Sequence, residues 1–486
     1  MMPFVIHGLL TQNTLNWIIR REKSMEQCAN DILLTKGYNI NNVPYSYIES
    51  SVEWYRNEEI ADFHKRTGIN GQAYEIDRMN FAKKGCEDDA NLCEVINITV
   101  GDETTTEQTN KILADNQFNI MYRKQLERMS ATGTAGCYIR IDNADYIQDE
   151  TGNVKVKGGE IKLTYVNAEN YIPLKIVNEE ILEAAFYGID YINGDKQTTL
   201  VVFTLDDAGF YKAETFVFDK NSNQINYNWI QLADVKPFEV MRTAKVNNIK
   251  DMQGFGYPKV YGAIPTLKKL DLCNAVLMGD LDKAEKIVFA NDILCDHDDS
   301  GKPKINKQAK KLFVFLGKAL PGVDAMIKEY NPEIRIDAIT ATFELCLSLF
   351  SMMFGFGSKK YTFDNGQIQT ATQYVGERQD AMQELNKQRK ESIDYISHIV
   401  KAAMWFSNTF NGTSLNLDAE ICIDFDDSYI EDKNTMIESM RADAVSFADI
   451  PEFTIRYIME RMNLSKEEAI KIYNTKATEP EAETTD

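Results

Sequence analysis

SMMFGFGSKKYTFDNGQIQTATQYVGERQD spans residues 351 to 380. An apolar run ends at Gly355-Phe-Gly357, two lysines follow, and Thr370-Ala-Thr-Gln373 has the composition of a helix capping box. The stretch therefore reads as one helix stopping, a polar loop, and a second helix starting. Upstream, Ile336 to Phe354 carries apolar residues on nearly every side. Downstream, helical spacing runs to about Phe406, ending on Val400, Ala403, Met404 and Phe406. At ~1.5 Å per residue that second helix is roughly 55 Å long. From Ala338 to Gly357 the only charge is Glu344. A membrane span needs ~20 apolar residues, and a central carboxylate costs roughly 3 kcal/mol on insertion scales. Thr340, Thr342, Ser348 and Ser351 weaken that reading further. A helix apolar on all sides is better buried between protein neighbours, so no membrane partner is expected.

Working outward, the N-terminal 70 or so residues read as helical and polar, with Trp17, Trp54 and Tyr55 interspersed. Asp77 to Val95 has helical spacing, Ile96 to Val100 alternates as a strand, Glu103 to Thr109 is polar, and Lys111 to Ser130 is helical again. Ala131 to Gly136 punctuates the chain. Residues ~131–240 then form a mainly antiparallel β module. Its strands are Cys137–Ile141, Ile161–Val166, Ile181–Tyr191, Thr198–Leu205 and Phe210–Phe218. Hairpin turns are expected at Asp149 to Gly152 and at Asn193-Gly194. A helix is expected over 265–289, with Pro265 in its first turn. Breakers fill 290–334, around one strand at Lys311 to Leu316. After the long helix come a strand at Leu417 to Phe425 and helices at Lys433–Val445 and Pro451–Met462. A last helix is capped by Ser465, and the tail from Thr478 is acidic. The fold class is α+β.

Charge and motif chemistry narrow the function. The net charge is −21, which disfavours a surface that grips nucleic acid through counterion release. It suits a wall along which a polyanion slides. The eight cysteines show no zinc-knuckle or redox spacing, and reduced, mostly buried thiols are expected. No secretory leader is expected, since no basic residue precedes the apolar Met1 to Ile6. Gly254-Phe-Gly256 and Gly355-Phe-Gly357 lack the third glycine of a dinucleotide loop, with Lys259 and Lys360 in its place. Asp296 to Gly301 imitates a calcium loop, but Lys307 occupies the glutamate position. Cys295 and His297 have no second ligand pair nearby. Asp424, Asp426, Asp427 and Asp432 could hold two metals, as in nucleases, or could cap the next helix. No catalytic residue, metal or cofactor is assigned. Lys302, Lys304, Lys307, Lys310, Lys311 and Lys318 form a basic cluster against the acidic whole. It is either a solvated face or a docking surface for an acidic partner or for phosphates.

The order of parts resembles the portal proteins of tailed bacteriophages, especially long-tailed phages of Gram-positive hosts. MNFAKKGCEDDANLCEVINITVGD (79–102) is similar to the family's wing helix and strand. IKLTYVNAENYIPLKIVNEEILEAAF (161–186) is similar to its strand, proline, strand segment. TATQYVGERQDAMQELNKQRKESI (370–393) resembles the opening of its long helix, and FDDSYIEDKN (425–434) the strand exit. The likeness spans roughly residues 70–450 and departs most in the first ~40 residues and in the lysine-rich excursion. It implies a wing over 1–264, a stem helix at 265–289, a clip at 290–334 and a second stem helix at 335–354. It further implies a tunnel loop at 355–369, a long wing helix and strand at 370–429, a helical crown at 430–476 and an acidic tail at 477–486. On this resemblance the chain forms a homo-oligomeric ring, usually of twelve, at one capsid vertex of the virion. Double-stranded DNA passes through it without base recognition. The clip lysines would meet the terminase large subunit and later the head–tail adaptor, and major capsid and scaffolding proteins would be further partners. Lys359 and Lys360 would line the channel, unless they are an ordinary exposed pair, and Asn365 and Gln367 would touch phosphates with them. Two rival readings stay open, a metal-dependent nucleic-acid-processing enzyme and another ring-forming head or tail component.

Overall fold

The computed structural model describes residues 27–68, 71–148, 154–232, 234–284, 287–290, 313–315, 327–331, 333–361, 371–426, 433–448, 450–462, 464 and 466–477. The chain divides into two compact units, one made from residues 1–93 and 99–421, the other from 94–98 and 422–486.

The larger unit begins with α1 (Gln27–Thr35), α2 (Val43–Tyr55) and a single turn α3 (Ala61–His64), followed by the small hairpin β1 (Lys65–Thr67) and β2 (Ala73–Glu75). Then come α4 (Phe81–Asn91), the strand β3 (Val95–Val100), which up to Ile98 belongs to the smaller unit, and, back in the larger one, α5 (Glu103–Asp115) and α6 (Phe118–Thr132). The polar stretch from Glu103 is helical. The reason is its cap: the Asp102 carboxylate accepts from the Thr105 amide at 2.9 Å, satisfying one of the helix's orphan donors. The helix expected over Lys111 to Ser130 is in fact two, because Gln117 takes a left-handed backbone (φ 50°) between α5 and α6.

Ten strands follow: β4 (Thr134–Asp142), β5 (Asp145–Gln148), β6 (Val154–Lys157), β7 (Glu160–Asn167), β8 (Tyr171–Val177), β9 (Glu180–Ile192), β10 (Asp195–Leu205), β11 (Tyr211–Phe218), β12 (Gln224–Gln231) and β13 (Phe238–Arg242). They build an antiparallel five-stranded sheet in the order β12-β11-β10-β9-β8, a three-stranded sheet β13-β4-β7, and the hairpin β5-β6. Asn193-Gly194 makes the β9–β10 turn with both residues at positive φ, as a two-residue type I′ turn requires. The Asp149 to Gly152 turn lies outside the described residues. The two larger sheets face each other through a cluster of rings. Phe186 lies 5.3 Å from Tyr138 and 5.6 Å from Phe238, and Phe203 lies 5.3 Å from Phe238. All four side chains are buried; aromatic pairs at such spacings add about 0.5–1.5 kcal/mol each beyond their area.

α7 (Lys259–Lys283), the sheet β15-β14-β16 (Phe313–Phe315, Ile287–Ala290, Ile327–Tyr330), α8 (Ile336–Phe354) and α9 (Ala371–Phe406) complete the unit. α7 starts six residues before Pro265, which sits inside the helix rather than in its first turn. The missing donor costs a hydrogen bond, but Val260, Ala263 and Leu267 are buried around it, so the core holds the helix together. α7 ends at Lys283, short of the expected Phe289, because Ile287–Ala290 is a strand. Among the described residues the excursion between α7 and α8 holds three strands where one was expected, Val288 running parallel to Phe313 and antiparallel to Glu329. α9 is clamped to the sheets by side-chain amides. Gln388 accepts from the Ala244 amide at 2.8 Å, and its NH2 donates to the Arg242 carbonyl at 3.2 Å. Tyr395 donates to Gln125 at 2.5 Å, and Gln125 donates to the Gly136 carbonyl of β4 at 2.6 Å. A π turn at Ser407–Asn411 closes α9. The Thr370 cap lies outside the described residues.

The smaller unit contains β17 (Ile421–Phe425) paired with β3, then α10 (Lys433–Ser446), α11 (Pro451–Met462) and α12 (Lys466–Ala477). The Asp426 amide donates to the Glu94 carbonyl at 2.9 Å, and the rings of Phe447 and Phe453 stack at 5.0 Å. Ser465 and the tail from residue 478 lie outside the described residues.

The end of α1 is fixed to the five-stranded sheet by two ionisable contacts. Lys36 Nζ meets Glu214 Oε2 at 2.5 Å, Tyr227 donates to Glu214 Oε1 at 2.8 Å, and Tyr38 donates to Glu183 at 2.8 Å. Burial raises the pKa of Glu214, but hydrogen bonds from Lys36, Tyr227 and Lys212 outweigh it and hold the carboxyl below its ordinary 4.5. A depressed folded pKa gives stability that is present above the unfolded value and lost as pH falls. Glu214→Gln should lower stability by about 1–3 kcal/mol at pH 7. In thermal melts the gap between wild type and variant should close as pH falls from 4.5 towards 3; a gap that persists unchanged at pH 3 would show the carboxylate charge to be irrelevant.

Candidate functional site at the start of the 355–361 loop

The site is built where α4, α7, α8 and α9 converge. α8 ends on a Schellman motif: the Gly355 amide donates to the Met352 carbonyl at 3.1 Å and the Phe356 amide to the Ser351 carbonyl at 3.0 Å. Gly355 stands at φ 89°, where a side chain would be strained, and a Cβ there would lie 2.8 Å from Glu384 Cγ. Beneath this cap, Phe350 and Phe354 lie 4.8 Å apart, and Phe354 stacks on Phe356 at 6.0 Å. Gly85 of α4 lets these rings approach, since a Cβ on it would be 2.8 Å from Phe350 Cζ and 2.9 Å from Phe354. Phe81, one turn earlier, packs on Phe343 and Phe350.

Charged groups lock the same junction. Lys259, the first residue of α7, is 2% exposed. Its ammonium meets Asp89 Oδ1 at 2.9 Å and the Phe354 carbonyl at 3.5 Å. Burial pushes the pKa of this lysine down, but the Asp89 carboxylate, with Glu384 behind it, more than reverses the effect. Lys259 is therefore a buried cation that ties α4 to the ends of α7 and α8. Next to it, Tyr361 donates to Asp88 Oδ2 at 2.6 Å, and Lys84 reaches Asp88 Oδ1 at 2.6 Å. Burial, reinforced by Asp88, raises the phenol's pKa far above its usual range, so Tyr361 stays a donor. Its ring also packs 5.5 Å from Phe350 and 6.1 Å from Phe356.

Residues 355–361 thus form a loop base fixed at both ends, by the cap at Gly355 and by the Tyr361–Asp88 bond. Between them Ser358, Lys359 and Lys360 are exposed, and Lys360 Nζ lies 5.9 Å from the centre of the Phe356 ring. The structure brings Lys359 and Lys360 together on this base. Asn365 and Gln367 lie outside the described residues, as do Lys302, Lys304, Lys307, Lys310, Lys311 and Lys318. Of the acidic group after β17, Asp424 is exposed and Asp426 half-buried, and Asp427 and Asp432 lie outside the described residues. Among the described residues no three His, Cys, Asp or Glu side chains are placed to share a metal.

Sequence reasoning missed Lys259, Asp89, Asp88 and Tyr361. Lys259 entered only as the residue that spoils a glycine motif, and nothing adjacent to it marks a buried cation. Gly85 carried the one usable signal, because an interior helical glycine costs about 1 kcal/mol relative to alanine and so points to a close approach.

Lys259→Met should cost about 3–5 kcal/mol, since it strands the Asp89 carboxylate. Adding Asp89→Leu should recover a large part of that loss. Denaturant unfolding of the two singles and the double reads the coupling, and additive losses would mean that the pair does not interact. A scan against protein-family models finds no match for this chain, and a search of curated proteins finds none either.

Proposed function

We propose that this chain is the subunit of a ring that conducts double-stranded DNA, of the kind that tailed phages place at the portal vertex of the capsid. The observation that carries this reading is the outer face of the α7–α8 pair. One face of α8 packs inward through Cys346, Leu347, Phe350 and Phe354. On the opposite face Leu345 is 61% and Met352 57% exposed. α7 adds Leu272, Val276, Met278 and Leu281, all exposed. Only 22% of the most apolar window of α8 is buried within the chain. By length and composition alone α8 could cross a membrane. The inward packing of Phe350 and Phe354, and Asp337 and Glu344 along the helix, suit a protein neighbour better. A ring needs head-to-tail contacts, in which the α8 stripe of one copy meets a different face of the next, such as the exposed apolar residues of α7.

The remaining features suit the same role. Twelve copies of a chain at −21 carry about −250, a repulsive wall for a polyanion. Lys359 and Lys360 sit on a loop base held rigidly by Gly355 and Tyr361, which would set a narrow band of positive charge in a ring. Contacts of lysines with phosphates position DNA without reading bases. In this reading the excursion between α7 and α8 is the clip. Its lysines 302, 304, 307, 310, 311 and 318 dock the terminase large subunit during packaging and the head–tail adaptor afterwards.

Leu345→Glu with Met352→Glu should leave the chain folded but prevent assembly. Sedimentation velocity should show a large complex for the unmodified chain and a monomer for the variant; a monomeric unmodified chain would refute the reading. Lys359→Ala with Lys360→Ala should still assemble yet alter packaging or retention of DNA in particles carrying it. Normal packaging and normal retention would remove the loop lysines from the mechanism.

A further inference from the structure

α7 and α8 run antiparallel and are tied at both ends. Lys259 at the start of α7 touches the Phe354 carbonyl at the end of α8, and Asp280 near the end of α7 holds Arg335, just before α8, at 2.7 and 2.9 Å. These ties fix which residues stand level, because both helices rise ~1.5 Å per residue. Lys269 lies ten residues along α7 from Lys259, and Glu344 lies ten residues back along α8 from Phe354. Counted from the other tie, eleven residues back from Asp280 and eleven on from Arg335, Lys269 stands level with Cys346. The two counts agree to about 3 Å of rise.

Lys269 is exposed on the face of α7 that carries exposed Leu272 and Val276, three and seven residues on. Glu344 is half-buried at the margin of the outer face of α8, next to Leu345. Among the described residues neither side chain has a hydrogen-bonding or ionic partner in its own chain. Asp337, the other acid of α8, stands level with Val276 to Met278, where α7 has no cation. When the apolar stripes of two copies close on each other, Lys269 and Glu344 lose water with the leucines beside them, and a charge so placed is costly unless it is paired. A ring closed by rotation keeps every copy at one height. With α7 and α8 set along the ring axis, Lys269 of one copy is level with Glu344 on the α8 of the next.

We infer, on the ring reading above, that Lys269 of each copy forms an ion pair with Glu344 of the next, which sets the register of α7 against the neighbouring α8. Opposite charges so placed exclude wrong pairings more than they add affinity.

The test compares the full chain with Lys269→Glu, Glu344→Lys and the double exchange in sedimentation velocity. The unmodified chain should run as a large complex. Each single reversal sets like charges against each other at every seam and should move most of the protein to the monomer. The double exchange restores opposite charges and should bring the complex back. A second readout needs no variant and decides the matter for any variant that does not fold. In an assembly mixed from isotope-labelled and unlabelled chains, a carbodiimide should join Lys269 to Glu344 by an amide between peptides of unlike label. The pair is ruled out, with the ring left standing, if the complex forms but that amide is absent or joins only peptides of like label. It is equally ruled out if both single reversals assemble as fully as the unmodified chain, or if a folded double exchange assembles no better than the singles. A monomeric unmodified chain would overturn the ring and the pair together.

Discussion

A single buried ion pair, Lys259 with Asp89, organises the base of the 355–361 loop. Lys259 is stripped of water at the first turn of α7, where the helix dipole disfavours a cation. Such a charge persists only beside a partner, and Asp89 of α4 supplies it at 2.9 Å. Once the pair is made, α4 cannot shift along α7, and the end of α8 is held by the same ammonium through the Phe354 carbonyl. The aromatic stack from Phe81 to Phe356 fills the space around it, and Gly85 sets how closely α4 approaches. A buried pair of this kind need not add net stability relative to apolar residues. What it specifies is geometry: the point at which the 355–361 loop leaves the core.

That geometry separates two kinds of apolar residue on one helix. Phe350 and Phe354 are consumed by the core. Leu345 and Met352, half a turn away, are mostly exposed. A helix that is apolar all round but packed on one side is incomplete as a monomer. In the proposed ring, closing many copies in a circle would cover the outer stripe and align the loop bases about a common axis. The proposed role thus follows from how α8 is shared between an inner and an outer interface.

Much of the architecture was legible in the residues. Alternation located β4, β7, β9, β10 and β11, and Asn193-Gly194 located their central turn. Gly355 marked the end of α8, because a left-handed cap is a local property. Less legible were boundaries decided at a distance. Glu103 to Thr109 is polar throughout, and only the Asp102 cap and the buried Thr105 and Thr109 make it helical. Pro265 argued for a helix start, but buried neighbours on both sides carry α7 through it. The candidate site was half visible. Lys359 and Lys360 stood out because they follow a greasy helix, whereas Lys259, Asp88 and Asp89 meet only after three helices cross, and linear spacing does not encode that meeting.

The claim on which the rest stands is that copies of this chain cover the outer face of α8. Single-particle images of the purified full-length chain test it most directly. The account predicts a closed ring with an open centre, the α7–α8 pairs packed side by side around it and Lys359 and Lys360 facing the bore. A solitary particle, or an assembly in which Leu345 and Met352 remain in contact with solvent, would contradict it.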